Sequence, residues 1–348
     1  MTSRPLRLAT YNVEWFNTLF DDDGSLVDDD SWSARWNVTK AHQTAALGTV
    51  FEAMDMDAVM VIEAPDTSRK RQGSVALTNF AERFGLRARE VVMGFANDTQ
   101  QEIAFLYDPD VITAVHDPIG ELSDASPAPR FDAELRIDLD TDAALDVVRW
   151  SKPPLEIKAE VAGQVLRLIG VHAKSKAPHG AGNDAEATRI AIQNRRKQLA
   201  QCIWLRQRVN QHLAAGDDLL VMGDFNDGPG LDEFEKLFGR SGIEVVLGED
   251  DATRLYDPHA TQVLSRRIAA VPTTARFSKR NGTFLNALLD YMMVSPGVRA
   301  AKPEWQIWHP FDHLACYENA ALREALLTAS DHFPVSLTLP MPFGESRE

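Results

Sequence analysis

The chain has 348 residues, 44% of them apolar, and a formal net charge of −15 from 36 basic and 51 acidic residues. This composition allows a large buried core, and no stretch approaches the ~18 consecutive apolar residues of a membrane-spanning helix. The acidic balance disfavours tight, non-specific binding of DNA, because the overall field of the molecule repels a polyanion.

Cysteine use and the N-terminal sequence predict a cytoplasmic protein. The two cysteines, Cys202 and Cys316, are typical of free thiols in a reducing compartment, and they form no cysteine–histidine spacing for structural zinc. The first residues enter a strand directly, without the apolar segment of a secretion signal. We expect no membrane association and no obligate protein partner.

Strand patterns and helix patterns alternate along the chain. Asp21 to Ser33 predicts an exposed acidic loop, and the stretch around Ala133 to Trp150 predicts a hairpin. Strands are predicted at Glu90–Met93 and Ile103–Tyr107. Helices are predicted in five segments, which are Arg35–Asp55, Ala76–Phe84, Asp184–Ala214, Leu231–Phe238 and Ala320–Leu327.

This alternation predicts an α/β fold. Two mixed sheets packed face to face, with helices outside, accommodate the pattern and a reversal of strand direction near the end. No internal repeat or linker divides the sequence, so we expect a single domain over residues 1–348. The sequence contains no glycine-rich loop of a nucleotide-cofactor fold.

Six short apolar runs each carry a polar residue at one end. The polar residue follows the run in the first four and precedes it in the last two. If the last two strands run antiparallel to the others, all of these side chains reach one edge of the sheets. A hydrolytic site needs such a gathering, whereas buried strands do not. The residues are Asn12, Glu63, His172, Asp224 with Asn226, Asp290, and Asp331 with His332.

Carboxylate and amide oxygens in this set predict a metal site. Hydrolysis of a phosphate ester needs cations to neutralise charge, an oriented water molecule and a proton donor. Glu63 can hold a hard divalent ion, Asn12 can orient Glu63 or contact the phosphate, and Asp331 can add a metal contact. Alone, Glu63 is better explained as a solvated strand-end carboxylate, and Asn12 is explained equally well as a turn-forming residue. Oxygen ligands favour Mg²⁺ or Mn²⁺, with Ca²⁺ as an alternative.

Two motifs suit proton transfer. In GDFND, Asp224 and Asn226 are two residues apart, so both can face one side and align an attacking water. In SDHFPV, His332 can act as a general base, with Asp290 raising its basicity. His172 is a second imidazole that can stabilise charge or protonate the leaving group. The structural alternatives are an Asx turn and a capped strand start.

Basic residues flank these motifs. No acidic residue occurs between Pro258 and Leu289, where the basic residues are Arg266, Arg267, Arg276, Lys279 and Arg280. A second acid-free stretch follows His172 and contains Lys174. We expect Lys174, Arg276 and Lys279 to bind substrate phosphate, while the alternative is an ordinary solvated loop.

The motifs TYNVEWF, VIEAPD, GVHAKS, VMGDFND, LLDYMMVS and SDHFPV resemble, in this order, those of the endonuclease/exonuclease/phosphatase superfamily, which has the deoxyribonuclease-I-like fold. They extend over essentially the whole chain. The resemblance implies a four-layer α/β sandwich and Mg²⁺-dependent cleavage of phosphoester bonds. It implies a metal-proximal pair, a nucleophile-orienting pair and an aspartate–histidine dyad for the strand-edge residues named above.

The same resemblance adds roles and departures by position. Lys152 stands where many members carry an arginine that faces the phosphate, so bidentate recognition is lost there. Glu14 stands where some members have a second acidic metal contact, and Tyr107 matches an aromatic strand end that contacts substrate. Ile62 replaces the usual glutamine before the metal-binding glutamate. The GDFN, H-x-K-S and SDHFPV forms favour the bacterial nuclease-like branch.

These observations predict a metal-dependent phosphodiesterase, with an endonuclease acting on DNA or RNA as the leading hypothesis. Nucleic acid would then be the partner, as substrate. The acidic net charge supports the alternative of a phosphoesterase for a small-molecule or lipid phosphate. A non-catalytic binding module is the third class, and the intact set of carboxylates and histidines disfavours it.

Overall fold

The computed structural model describes residues 4–122, 128–138, 145–178, 180–229, 239–265, 271–279 and 282–343. The strands in this part of the chain are β1 (Leu6–Asn12), β2 (Ala58–Ala64), β3 (Glu90–Met93), β4 (Glu102–Tyr107), β5 (Ile112–His116), β6 (Leu135–Ile137), β7 (Asp146–Val148), β8 (Leu155–Val161), β9 (Gln164–His172), β10 (Leu219–Asp224), β11 (Ala275–Ser278), β12 (Phe284–Ala287), β13 (Asp290–Val294), β14 (Glu304–Ile307) and β15 (Val335–Leu339). The helices are α1 (Lys40–Met54), α2 (Gly73–Arg83), α3 (Asp184–Ala215), α4 (Gly242–Leu247), α5 (Pro258–Leu264), α6 (Pro296–Ala300), α7 (Leu314–Glu318) and α8 (Ala320–Ala329), with a 3₁₀ helix at Phe16–Leu19.

Two large mixed sheets form the centre of the molecule. One has six strands in the order β14-β15-β1-β2-β4-β3, and the other has five in the order β13-β10-β9-β8-β5. β1 is parallel to β2 and antiparallel to β15. β10 is parallel to β9 and antiparallel to β13. The expected reversal of the last two motif-bearing strands is therefore confirmed, because β13 and β15 run against their neighbours.

Alternation within the strands builds three apolar layers. The inner faces of the two sheets pack together through residues such as Met60, Ile103, Leu168 and Met292. Gly170 permits this approach, since a Cβ atom there would lie 2.4 Å from the sulfur of Met60. The side chains between the two sheets are closely packed and leave no room for water, and this packing stabilises the pair of sheets.

Helices cover both outer faces. α1, α2 and α8 cover the six-stranded sheet and bury residues such as Val50, Phe80 and Leu326. α3 and α4 cover the five-stranded sheet and bury Trp204 and Val246. The result is the predicted α/β sandwich of four layers, helix–sheet–sheet–helix.

Capping residues set helix ends that the apolar pattern misplaced. The helix predicted from Arg35 begins at Lys40, because the side chain of Thr39 accepts a hydrogen bond from the backbone N–H of His42 and fixes the first turn. The longest helix was predicted to within one residue, and Gly216 ends it with φ of 75°. The predicted hairpin is confirmed by the antiparallel pair β6–β7.

Some sequence predictions lie outside the described residues, namely the helix at Leu231–Phe238 and the basic residues Arg266, Arg267 and Arg280. Among the residues that the structure describes, no helix combines the length and apolarity needed to cross a membrane. Cys202 and Cys316 are both buried and unpaired.

Candidate active site

Strand direction and register bring the motif residues to one sheet edge. Asp224 at the end of β10 lies beside His172 of β9 on one side and Asp290 of β13 on the other. Asn12 ends β1, which is the strand between β2 and β15. A cleft of about 1010 Å³ opens at this edge. Its polar lining includes Asn12, Glu14, Glu63, Lys152, His172, Lys174, Asp224, Asn226, Asp331 and His332.

Backbone strain concentrates at this cleft. Glu63 lies in a bulge of the β2–β4 pairing and has φ of 63°. Glu14, Trp15 and Asn226, which also line the cleft, have φ of 48°, 59° and 49°. Left-handed backbone costs a non-glycine residue roughly 1–3 kcal/mol, and such residues cluster at functional sites because the strain aims particular side chains. The backbone N–H of Trp15 donates to Glu63 Oε2 at 2.8 Å and holds the carboxylate in place.

Asp224 is a buried carboxylate fixed by three donors. Asn12 Nδ2 donates to Oδ2 at 3.1 Å, Asn226 Nδ2 donates to the same oxygen at 3.0 Å, and Asn226 N donates to Oδ1 at 2.7 Å. The last hydrogen bond forms the Asx turn that was the structural alternative for GDFND. The turn and the orientation of Asp224 and Asn226 toward one side therefore occur together. Phe225 points away into the core against Tyr291. Burial raises the pKa of Asp224 to about 7, although His332 opposes the shift.

His332 and Asp290 form a buried dyad. The imidazole Nδ1 lies 2.8 Å from Asp290 Oδ2, and Nε2 lies 4.0 Å from Asp224 Oδ2. Burial alone would lower the pKa of His332, but the surrounding carboxylates of Asp290, Asp224 and Asp331 raise it well above its ordinary value. The geometry therefore favours an imidazolium, which donates a proton rather than accepting one.

His172 has the opposite electrostatic environment. Lys152 Nζ lies 3.1 Å from His172 Nε2, and that nitrogen also lies 3.6 Å from Asp224 Oδ2. Burial and the ammonium of Lys152 lower the pKa of His172 well below its ordinary value. A neutral imidazole accepts a hydrogen bond from Lys152, so the expectation that His172 protonates a leaving group does not fit this environment.

The cleft concentrates hard oxygen donors. Burial and the carboxylate of Asp331 raise the pKa of Glu14 to about 7, although Arg35 pairs with it. Burial also raises the pKa of Glu63. Asp331 donates its backbone N–H to Glu14 Oε2 at 2.9 Å. Carboxylates that raise one another's pKa in one cleft suit a divalent cation, which would relieve their repulsion.

A second set of ligand atoms is more compact. One atom each from Asp224, Asp290 and His332 lies within 4.8 Å of the others, and this buried cluster could hold a metal ion. The short His332–Asp290 bond and the raised pKa of His332 favour a proton at that position, because an imidazolium offers no lone pair to a metal. The predicted set of Glu63, Asn12 and Asp331 offers side-chain oxygen atoms and contains no imidazole.

Tyr107, which was predicted to contact substrate, lies away from this cleft. β4 runs antiparallel to β2, so its last residue lies opposite Ala58 at the start of β2. Glu102, at the other end of β4, is the residue level with the bulge at Glu63. Tyr107 stacks on Phe105 at the far edge of the sheet. A strand end reaches the site only if the strand runs in the required direction, which its own sequence does not encode.

Arg276 and Lys279 lie on the β11–β12 hairpin beside the cleft. The guanidinium of Arg276 stacks over Phe284 at 3.7 Å from the ring centroid, and Nη1 donates to Asn286 at 3.3 Å. Neither basic side chain lines the cleft. Phe277 and Leu285, which face each other across this hairpin, do line the cleft. The predicted phosphate contacts at these two residues are therefore not found at the catalytic edge, whereas Lys152 and Lys174 are in the cleft.

Two residues of α3 at the site were missed by motif analysis. Lys197 of α3 lines the cleft, and Gln198 donates to the carbonyl oxygens of Phe225 and Asn226 at 2.9 Å each. The sequence shows a cluster of basic residues on α3, and this cluster is the signal that could have identified Lys197. The members of this cluster have different environments in the structure. Arg195 is buried and pairs with Asp227, whereas Lys197 faces the cleft.

Comparisons with known proteins identify the family and the fold. The sequence matches the model of the Endonuclease/Exonuclease/phosphatase family over residues 9–332. A comparison with the curated proteins found no match. Truncated TDP2 from Caenorhabditis elegans is 12% identical, covers 97% of this chain and 98% of its own, and has a TM-score of 0.50. An endonuclease/exonuclease/phosphatase family protein from Bacteroides thetaiotaomicron is 13% identical, with 99% and 100% covered and a TM-score of 0.50.

At these identities the two structures are similar in fold, and the family match rests on the sequence itself. The match covers nearly the whole chain, from β1 to His332. The chain belongs to the endonuclease/exonuclease/phosphatase family, whose members are hydrolases that act on phosphoester bonds.

Proposed function

We propose that this chain is a divalent-metal-dependent phosphodiesterase that hydrolyses nucleic acid, acting as an endonuclease. The observation that carries the proposal is the placement of Asp224, which three donors fix between His172, whose pKa is lowered, and His332, whose pKa is raised. The different environments of the two imidazoles allow one cleft to contain both a proton acceptor and a proton donor. Its location is proposed as cytoplasmic and its unit of function as one domain of residues 1–348.

Glu63, Asn12 and Asp331 would hold the metal ion, with Glu14 beside them. Oxygen donors of this kind suit Mg²⁺ or Mn²⁺. When bound, the ion would polarise the phosphoryl oxygens and offset their negative charge. Asn12 also donates to Asp224, so one side chain would link the metal ligands to the water-orienting carboxylate.

Proton transfer would use Asp224 and His332. Asp224 would align the attacking water and accept its proton, since Asn12 and Asn226 hold the carboxylate in one orientation. The imidazolium of His332, held by Asp290, would donate toward a phosphoryl or leaving oxygen. Lys152 and the neutral His172 would stabilise charge on the other side of the phosphate. This assignment gives the base role expected for His332 to Asp224.

A phosphoesterase for a small-molecule or lipid phosphate is the second candidate. The apolar wall of the cleft supports it, since Phe277, Leu285 and Leu289 lie beside the catalytic edge. The net charge of −15 also favours a substrate with fewer charges than a polynucleotide.

The test is cleavage of plasmid DNA and single-stranded RNA by purified protein with Mg²⁺, Mn²⁺ or EDTA. Asp224→Asn should lower kcat by about 10²–10⁴-fold while the melting temperature stays near that of the wild type. Asp312→Asn, at a side chain that is 70% exposed, is the matched control and should retain activity. Metal-dependent cleavage that persists in Asp224→Asn would reject the site. A folded protein that cleaves neither polymer but turns over a small phosphodiester would establish the second candidate.

A further inference from the structure

Two lysines in the cleft have no counter-ion in the described part of the chain. Lys174 follows β9, Lys197 lies on α3, and both line the cleft. Among the residues that the structure describes, no carboxylate forms an ion pair with either ammonium group. Their basic neighbours are paired, since Lys176 Nζ lies 2.5 Å from Asp227 Oδ1 and Arg196 Nη2 lies 2.7 Å from Asp146 Oδ2.

The backbone brings these two lysines together. Lys174 N donates to Gln201 Oε1 at 2.9 Å, which anchors the chain after β9 against α3. Gln201 lies four residues after Lys197, so the two share one face of the helix. Burial and the charge of Lys174 lower the pKa of Lys197, as expected for two cations in proximity. In a chain of net charge −15, two adjacent unneutralised cations indicate an anionic ligand.

Spacing relates this pair to the proposed phosphate position. His172 ends β9, and Lys174 follows it by two residues, over which an extended chain covers at most roughly 7 Å. Successive phosphates of a nucleotide chain have a comparable separation. Lys152 lies at the catalytic edge against His172. The charge of Lys174 lowers the pKa of both Lys152 and Lys197, so Lys174 lies between the catalytic edge and Lys197 of α3.

We propose that Lys174 and Lys197 form a second anion subsite, which binds the phosphate next to the scissile one. The inference rests on the proposed phosphodiesterase function and narrows it to substrates that carry two phosphates one linkage apart. A polynucleotide has this chemistry, whereas a lipid ester with one phosphate does not. Lys197 would be a specificity-determining residue, because it binds the substrate away from the reacting atoms.

The test uses three octathymidylates with Mg²⁺ or Mn²⁺. The first has phosphodiesters throughout, and the second has one central phosphodiester among neutral methylphosphonates. The third is prepared in two versions, which restore one charged neighbour on the 5′ side or on the 3′ side of that linkage. We expect kcat/KM for the third to exceed the second at least tenfold on one side, which would also give the polarity of binding.

Variants assign this preference to the lysines. Lys174→Gln and Lys197→Gln should each reduce the advantage of the third oligonucleotide over the second, and Lys197→Arg should restore it. Lys302→Gln, in a different surface depression beside Trp305, is the control for loss of one positive charge and should keep the wild-type ratio. Melting temperatures would identify any variant that fails to fold, and the arginine variant then remains as the test.

The experiment distinguishes failure of the subsite proposal from failure of the proposed nuclease function. Equal cleavage of the second and third oligonucleotides, or an advantage that survives in both glutamine variants, would overturn the subsite while leaving the phosphodiesterase intact. If none of the three is cleaved, the proposed nuclease function itself fails.

Discussion

The two imidazoles of the cleft differ through the charges around them. His332 has three carboxylates as neighbours, which raise its pKa well above the ordinary value. His172 has the ammonium of Lys152 at 3.1 Å, and its pKa is well below that value. Both rings are buried to a similar degree. Because burial acts on both rings alike, the neighbouring charges account for the opposite directions of the two pKa shifts.

Glu102 provides a residue-scale test of charge burial outside the catalytic set. Burial raises its pKa to about 7, although the backbone N–H of Asn97 donates to its carboxylate. A carboxyl with a raised folded pKa contributes stability at low pH that is lost as the pH rises toward 7. Glu102→Gln removes this loss, so the variant should gain about 1–3 kcal/mol relative to the wild type between pH 5 and pH 8.

Denaturant unfolding at the two pH values measures this difference. Glu52→Gln on α1, where the side chain is exposed, is the matched control and should show no such pH dependence. A stability difference between Glu102→Gln and wild type that is the same at pH 5 and pH 8 would show that the carboxyl titrates normally.

At the scale of elements, α3 holds the catalytic loop after β10. Gln198 donates to the carbonyl oxygens of Phe225 and Asn226, and Asn226 is held at φ of 49°. Gln198→Ala should lower kcat about 10–100-fold through displacement of Asn226, with a smaller change in KM. If the effect passes through Asn226, then Gln198→Ala should cost little further activity in an Asn226→Ala background.

A double-mutant cycle with steady-state kinetics checks this coupling. Gln207→Ala, on the same helix but facing a different depression, is the control and should leave kcat unchanged. Additive losses in the double variant would mean that Gln198 only stabilises the fold.

Strand β10 depends on glycine at the residue before Asp224. Gly223 has φ of 139°, and a Cβ atom there would lie 2.0 Å from the carbonyl oxygen of Val171 on β9. Gly223→Ala should separate the two strands and destabilise the protein by about 3 kcal/mol or more, because backbone strain adds to the clash. Thermal unfolding measures the loss. Gly163→Ala, where the structure leaves space around the Cβ position, compares strain with little clash. Equal losses in both variants would contradict the steric explanation.

Sequence patterns predicted where helices and strands lie along the chain better than they predicted how the strands pair in the sheets. Apolar runs and caps located α3 and the six motif-bearing strands, because the periods of helices and strands are local properties. Tyr107 was misplaced because strand direction in a sheet depends on pairing between distant segments. The ends of α1 shifted because a single cap at Thr39 outweighed an apolar pattern that extended further.

For the whole molecule, net charge and local charge oppose each other. The chain carries −15 overall, yet Lys152, Lys174 and Lys197 line one cleft. If all three contact phosphates of a single strand, log kcat/KM should fall with log salt at a slope of about −2, or roughly 15-fold between 50 and 200 mM. Oligonucleotide cleavage across this range measures the slope.

Lys197→Gln should reduce that slope by about 0.7, whereas Lys302→Gln should leave it unchanged. A salt-independent rate for the wild type would contradict polynucleotide binding in the cleft and favour a small or lipid phosphoester. The salt response therefore distinguishes the two candidate functions without knowledge of sequence preference.

The sequence by itself determined the fold class and the strand-edge residues Asn12, Glu63, His172, Asp224 and His332, because alternating apolar runs and their polar ends are encoded in adjacent residues. Tertiary structure decided the opposite pKa shifts of the two imidazoles and which basic residues share the cleft. It placed Lys197 beside Lys174 and kept Arg276 outside. These outcomes depend on burial and on distances between residues far apart in the chain, which no local pattern contains.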